Sequence, residues 1–123
     1  MVTLSAFVKL VIFMIYTQNE IKDRIIPIFE KHKVKKAYLF GSYAKGEAGE
    51  NSDIDILVES KLRGIRFYGL LEALTETLEK DIDLIDVREL SDDLPLHDEI
   101  KETGVLIYEQ ERQRNIAKII KAC

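Results

Sequence analysis

The sequence predicts an α/β (α+β) domain, a small mixed β-sheet flanked by helices that cover one face. Three observations point there. Short apolar runs with strand character, at 36–40, 53–59, 82–87 and 105–108, alternate with helical periodicity at 18–32, 65–80 and 96–103. Turn residues punctuate the segments between them. The length of 123 residues, 46% hydrophobic and 33% charged, suits one domain with one core.

Taken in order, residues 1–16 are an apolar leader. From Phe7 to Tyr16 only Lys9 is charged. The stretch is too short to span a membrane. It has no basic segment before it and no cleavage site after it, so neither a signal peptide nor a membrane role is expected. Two readings stay open: Met14 is the functional start, or the leader is a helix that packs on a partner. Residues 17–109 form the main domain. Thr17 and Glu20 have capping-box spacing ahead of Ile21, Ile25, Ile28 and Phe29, which predicts a helix over 18–32. Pro27 should kink or restart it. Strand one follows over 36–40. The loop 41–51 has room for one helical turn after Gly41-Ser42, and strand two spans 53–59.

The helix over 65–80 carries Phe67, Leu70, Leu71, Leu74 and Leu78 on one face. Strand three covers 82–87. A loop at 91–95 opens a short helix over 96–103, which Gly104 stops, and strand four runs over 105–108. The chain closes with a polar tail, residues 110–123, read as an amphipathic helix that covers the domain or docks a partner helix.

Composition narrows the function. The formal net charge is −4, which argues against gripping long nucleic acid by charge. Cys123 is the one cysteine, so no disulfide framework or cysteine zinc site is available, and a cytoplasmic location is the default.

Chemistry concentrates between Gly41 and Asp55. In a strand, residues i and i+2 share a face, so Asp53 and Asp55 project together while Ile54 and Ile56 turn into the core. Two adjacent carboxylates repel, and one would hold its proton. Divalent metal removes that penalty, and hard oxygen ligands suit Mg²⁺ or Mn²⁺, with two ions expected. Asp-x-Asp alone is weak: nine aspartates in this chain give it about once in two such chains by chance, and Asp81-Ile82-Asp83 is a second copy. The first copy gains weight because it follows Gly41-Ser42, with Asp53 eleven residues after Ser42. Glycine lets a backbone approach phosphate closely, and the serine hydroxyl and turn amides can donate to it. A third carboxylate completes the set. Asp83 is taken as the most deeply embedded candidate, a general base or second metal ligand, with Asp86 at the strand end in solvent.

These residues resemble a known family. Leu39-Phe40-Gly41-Ser42-Tyr43-Ala44-Lys45-Gly46, then Ser52-Asp53-Ile54-Asp55-Ile56-Leu57-Val58, then Asp83-Leu84-Ile85, are similar to the signature of the DNA polymerase beta-like nucleotidyltransferases, in particular the minimal nucleotidyltransferases (MNT) of prokaryotes. The resemblance covers roughly residues 18–109. It implies Mg²⁺ as cofactor and a nucleoside triphosphate as donor, ATP with AMP transferred. It implies a helical HEPN-class toxin as partner, with the nucleotidyltransferase as antitoxin modifying a tyrosine. Ser42 would bind triphosphate, with Gly41 and Lys45 beside it. Asp53 and Asp55 would hold metal, and Asp83 would be the third carboxylate. Lys45 stands where many relatives have arginine, which keeps charge but loses a bidentate grip. Self-association into a homo-oligomer stays open. So do two other functions: an antitoxin that neutralises by contact alone, and a transferase acting on RNA or a small molecule.

The remaining charges have plainer readings. Lys61, Arg63 and Arg66 follow strand two, near the presumed metal face; they could clamp phosphate, but a solvated turn is the simpler reading. The cluster over 31–36 reads likewise, at the end away from the site. His32 and His97 are isolated and take no metal role.

Overall fold

The computed structural model describes residues 15–110. The leader before residue 15 and the tail helix expected after residue 110 lie outside the described residues.

The first helix, α1 (Gln18–Lys31), starts as its capping box dictates. The Glu20 N–H donates to the Thr17 hydroxyl at 3.1 Å, and the Glu20 carboxylate accepts from the Thr17 N–H. The helix continues through Pro27 as one element, contrary to the expected restart. Proline removes one hydrogen bond, the one its missing N–H would have given the carbonyl four residues back. Asp23 and Pro27 are both exposed, so water can satisfy that carbonyl.

The sheet has the order β3-β2-β1-β4. β1 (Lys36–Phe40) pairs antiparallel with β2 (Ile54–Glu59) and with β4 (Val105–Glu109). β2 pairs parallel with β3 (Ile82–Asp86). A parallel neighbour needs a crossover, supplied by helix α3 (Ile65–Leu78). Between β1 and β2 lies a short helix, α2 (Gly41–Lys45), and before β4 lies α4 (Pro95–Thr103).

The core is one cluster on one sheet face. Ile21, Ile25 and Phe29 of α1 and Leu70, Leu74 and Leu78 of α3 pack on Ala37, Leu39, Ile54, Ile56 and Val58, all fully buried. The i, i+4, i+8 spacing in both helices puts those residues on one stripe. Because the strand residues on that face are apolar, the alternating residues, including Asp55, point away from the helices.

Asp86 departs from expectation. It is 2% exposed, not in solvent, while Asp83 is exposed rather than deeply embedded. β3 is an edge strand, so the end of it carrying Asp83 is open. Asp86 pairs in register with Val58 and shares the helix-covered face with it. Its carboxylate accepts from the Ser60 hydroxyl at 2.9 Å and from the Arg88 backbone N–H and Nε, both at 3.0 Å. Burial alone would push this carboxyl up. The Arg88 side chain and N–H and the Ser60 hydroxyl outweigh that and hold it below the usual carboxylate range. The Arg88 guanidinium also donates to the Leu62 carbonyl, so the knot ties the end of β3 to the connector leaving β2. Replacing Asp86 by Ala is expected to cost about 2–4 kcal/mol, because Ser60 and Arg88 lose a charged acceptor. A urea unfolding curve at pH 7 measures this. The loss should shrink as pH falls through the depressed carboxyl, since the bonds to the charged form vanish from the parent protein too.

Candidate active site

Two strand pairings assemble the site. Phe40, the last residue of β1, lies opposite Asp55, and Asp55 lies beside Asp83. Asp53 precedes β2 by one residue and shares the Asp55 side of the chain. Gly41 follows Phe40 with φ +69°, a left-handed value that favours glycine. A Cβ at Gly41 would stand 2.1 Å from Asp55 Oδ2. The backbone of the Gly-Ser turn and the Asp55 carboxylate are therefore in direct apposition, and a side chain at 41 would separate them.

α2 carries Ser42 and Lys45 and is fastened from three sides. Tyr43 is buried in the core. Gln18 Nε2 donates to the carbonyls of Tyr43 at 3.1 Å and Ala44 at 3.2 Å. Gly46, with φ +73°, ends the helix and returns its N–H to the Ser42 carbonyl. Among the described residues no hydrogen bond holds the Ser42 hydroxyl. The loop to β2 is pinned by the Gly49 N–H on Ser52 Oγ at 2.8 Å and by Lys80 Nζ on the Glu50 carbonyl at 2.8 Å. A cleft of about 460 Å³ opens beside Asp53; Ser52, Leu78 and Asp81 line it too, whereas Asp55 and Asp83 do not.

Asp55 is the perturbed group. Partial burial raises its carboxyl first, and the charges of Asp83, Asp53 and Glu99 raise it further, to about 6. Asp53 and Asp83, both expected from the sequence, thus lie within electrostatic reach of Asp55. A fourth carboxylate, Glu99 of α4, joins them. Glu99 also takes Lys45: the ammonium stands 2.9 Å from its Oε1, and that hydrogen bond raises the Lys45 ammonium above its ordinary value. Neither Glu99 nor Gln18 stood out in the sequence. Each reaches the site from another helix, and no local spacing marks such a contact.

Two expectations need correction. Lys61, Arg63 and Arg66 are not near the carboxylates, because β2 starts at the Asp53–Asp55 end and they follow its far end. Asp83 joins the site from an open edge, not from a buried position.

The donors fit a hard divalent cation. Among the described residues no three or more His, Cys, Asp or Glu side chains are grouped so as to hold a metal ion by themselves. Mg²⁺ does not need such a group, since it is commonly held by one or two carboxylates together with substrate phosphates. The raised Asp55 carboxyl is the repulsion that such an ion would relieve.

The raised carboxyl gives a pH test. A carboxyl raised in the folded state favours folding fully below its unfolded value and loses that contribution as pH rises through about 6. In chelator, Asp55→Asn is expected to match the parent below about pH 4 and to exceed it by about 1–2 kcal/mol at pH 7, after allowance for solvent screening. Urea midpoints across that range measure it.

Residues 23–113 match the model of the polymerase beta nucleotidyltransferase family. The chain belongs to that family. As a family member it is a nucleotidyltransferase with a nucleotide substrate. A Methanocaldococcus jannaschii protein bearing the name putative protein adenylyltransferase is 51% identical over 72 residues, 54% of this chain and 74% of the relative. The protein adenylyltransferase MntA of Shewanella oneidensis is 43% identical over 74 residues, 57% of this chain. The chain spans about half of that relative, 53% of its length. Among solved structures, a toxin–antitoxin complex with AMP-PNP contains a chain of similar fold. Its TM-score is 0.62 at 30% identity, over 82% of this chain and 85% of that one. No helix among the described residues is long and apolar enough to cross a membrane.

Proposed function

We propose that this nucleotidyltransferase moves AMP from ATP onto a hydroxyl of a partner protein, and that the partner is a HEPN-class toxin for which this chain is the antitoxin. The carrying observation is the apposition of Gly41, Asp55 and Asp83 around a carboxyl raised to about 6. The partner follows from relatives: a structure of similar fold holds tri-AMPylated Shewanella oneidensis HEPN toxin with MNT antitoxin, at 27% identity and TM-score 0.58, over 81% of this chain and 79% of that one.

Each residue has a task in this reading. Asp53 and Asp55 would hold Mg²⁺ together with the substrate phosphates, with Mn²⁺ as a substitute, and Asp83 would stand beside them as the third carboxylate. Bound metal supplies charge neutralisation for the triphosphate and lowers the barrier to displacing pyrophosphate. Gly41 lets the Asp55 carboxylate lie against the backbone of the turn, and the Ser42 hydroxyl donates to phosphate. Asp83, on the open edge, accepts the proton of the incoming hydroxyl. The hydroxyl oxygen bonds to the α-phosphorus, the bond to the β-phosphate bridge breaks, and pyrophosphate leaves. Lys45 turns from Glu99 to phosphate when nucleotide arrives.

The Lys45 exchange is testable. Glu99→Gln removes the carboxylate that competes with phosphate, and an exposed pair of this kind is easily exchanged. KM for ATP is therefore expected to fall by about two- to fivefold. An unchanged or higher KM would count against Lys45 as a phosphate contact.

Position-specific labelling tests the reaction. With the partner and Mg²⁺, label in the α-phosphate should pass to protein and label in the γ-phosphate should leave as pyrophosphate. Transfer of the γ-label would make the chemistry phosphoryl transfer and refute this reading. A tight complex with no transfer would leave the chain an antitoxin acting by contact.

A further inference from the structure

Three basic segments that are far apart in sequence converge at the sheet end opposite the carboxylates. Antiparallel pairing sets Lys36 against Glu59, so the approach to β1, with Lys33 and Lys35, lies beside the exit from β2, with Lys61 and Arg66. Parallel pairing sets Val58 beside Asp86, which brings Arg88 to the same place. All five cations line one cavity of about 660 Å³, and His32 adds an imidazole. The cavity is separated from Asp55 by most of the length of β2, about 13 Å along the strand from Asp55 to Glu59.

The local balance opposes the overall net charge of −4. Glu59 is the one carboxylate among the described lining residues. It meets Lys35 at 3.7 Å, a half-exposed contact that neutralises little. Arg88 is shared with Asp86. Among the described residues no ion pair takes Lys33, Lys61 or Arg66. Lys33 also has φ +58°, a conformation that glycine adopts at lower cost.

We propose that this cavity is a second anion site, which takes the compact polyphosphate group of a nucleotide or of inorganic polyphosphate. The volume is that of a small-molecule site. No Phe, Tyr or Trp ring is among its described lining residues, so the His32 imidazole is the one ring there on which a base could stack, too little for a platform that tracks successive bases of a single strand. Five cations around one concavity match the dense charge of linked phosphates better than carboxylates spread along a peptide at about 3.3 Å per residue.

The test uses the intact chain in chelator, titrated with sodium tripolyphosphate by calorimetry. One equivalent should bind, more weakly as salt rises. Asp53→Asn/Asp55→Asn should bind within about twofold of the parent, because the carboxylate centre is not involved. Lys33→Gly/Arg66→Ala should weaken binding at least about tenfold. It should melt no lower than the parent, since glycine relieves the left-handed backbone. Lys61→Gln/Arg66→Gln repeats the test without touching that backbone. ATP titrated into the parent and into Lys61→Gln/Arg66→Gln separates the two sources, since the active site contributes to both alike: a component lost in the variant that is tighter for ATP than for tripolyphosphate assigns a nucleotide, and one that is equal or weaker assigns inorganic polyphosphate. Absence of binding overturns the proposal, as does binding that survives both basic-site variants or is lost with the aspartate variant. Tighter binding of a single-stranded oligonucleotide or of polyglutamate than of tripolyphosphate overturns it too.

Discussion

The Asp53→Asn/Asp55→Asn protein is expected to lose nucleotide transfer by at least about a thousandfold while melting no lower than the parent in chelator. The two halves of this expectation share one cause. The Asp55 carboxyl is raised to about 6 by burial and by three neighbouring carboxylates, so its charge opposes folding at pH 7. Asparagine keeps the shape and removes the charge, which removes both the repulsion and two carboxylate ligands for a hard cation. Mg²⁺ at millimolar concentration should raise the melting temperature of the parent and leave the variant unmoved. A parent whose melting temperature is flat in Mg²⁺ would contradict the metal assignment, and so would a variant that still transfers.

Gly41→Ala is expected to be nearly as damaging, by a different route. The added Cβ would fall 2.1 Å from Asp55 Oδ2, closer than any real contact, so the carboxylate must move by about 1 Å or more. The left-handed φ of +69° adds backbone strain of about 1–2 kcal/mol. Together these should lower stability by about 2–4 kcal/mol and transfer by at least about a hundredfold. Urea unfolding and the transfer assay read the two effects separately. Full activity with an unchanged midpoint would mean that position 41 is roomier than the geometry shows.

Local signals carried most of the fold. The Thr17–Glu20 box started α1, the stripe of Leu70, Leu74 and Leu78 faced the core, and the strand alternation around Asp55 turned Ile54 and Ile56 inward. Long-range pairing decided the rest. Asp83 and Asp86 sit three residues apart on one strand, and sequence alone ranked the wrong one as buried. The deciding facts were that β3 is an edge strand and that Ser60 and Arg88 converge on Asp86. Their position just after β2 in sequence suggests that Lys61 and Arg66 stand beside the metal face, yet strand direction carries them to the other end. Glu99 was silent for the same reason: its partner Lys45 lies on α2, remote in sequence. The side chains that define the carboxylate centre were legible because glycine, serine and two alternating aspartates form one continuous segment. Those that tune it were not, because they come from other elements.

The most direct measurement is the intact mass of the partner protein after incubation with this chain, ATP and Mg²⁺. The mass should rise by one or more AMP groups, and should stay unchanged when Mg²⁺ is chelated or when the Asp53→Asn/Asp55→Asn chain is used. An unchanged partner mass with the parent chain, in a complex that demonstrably forms, would contradict nucleotide transfer to that partner.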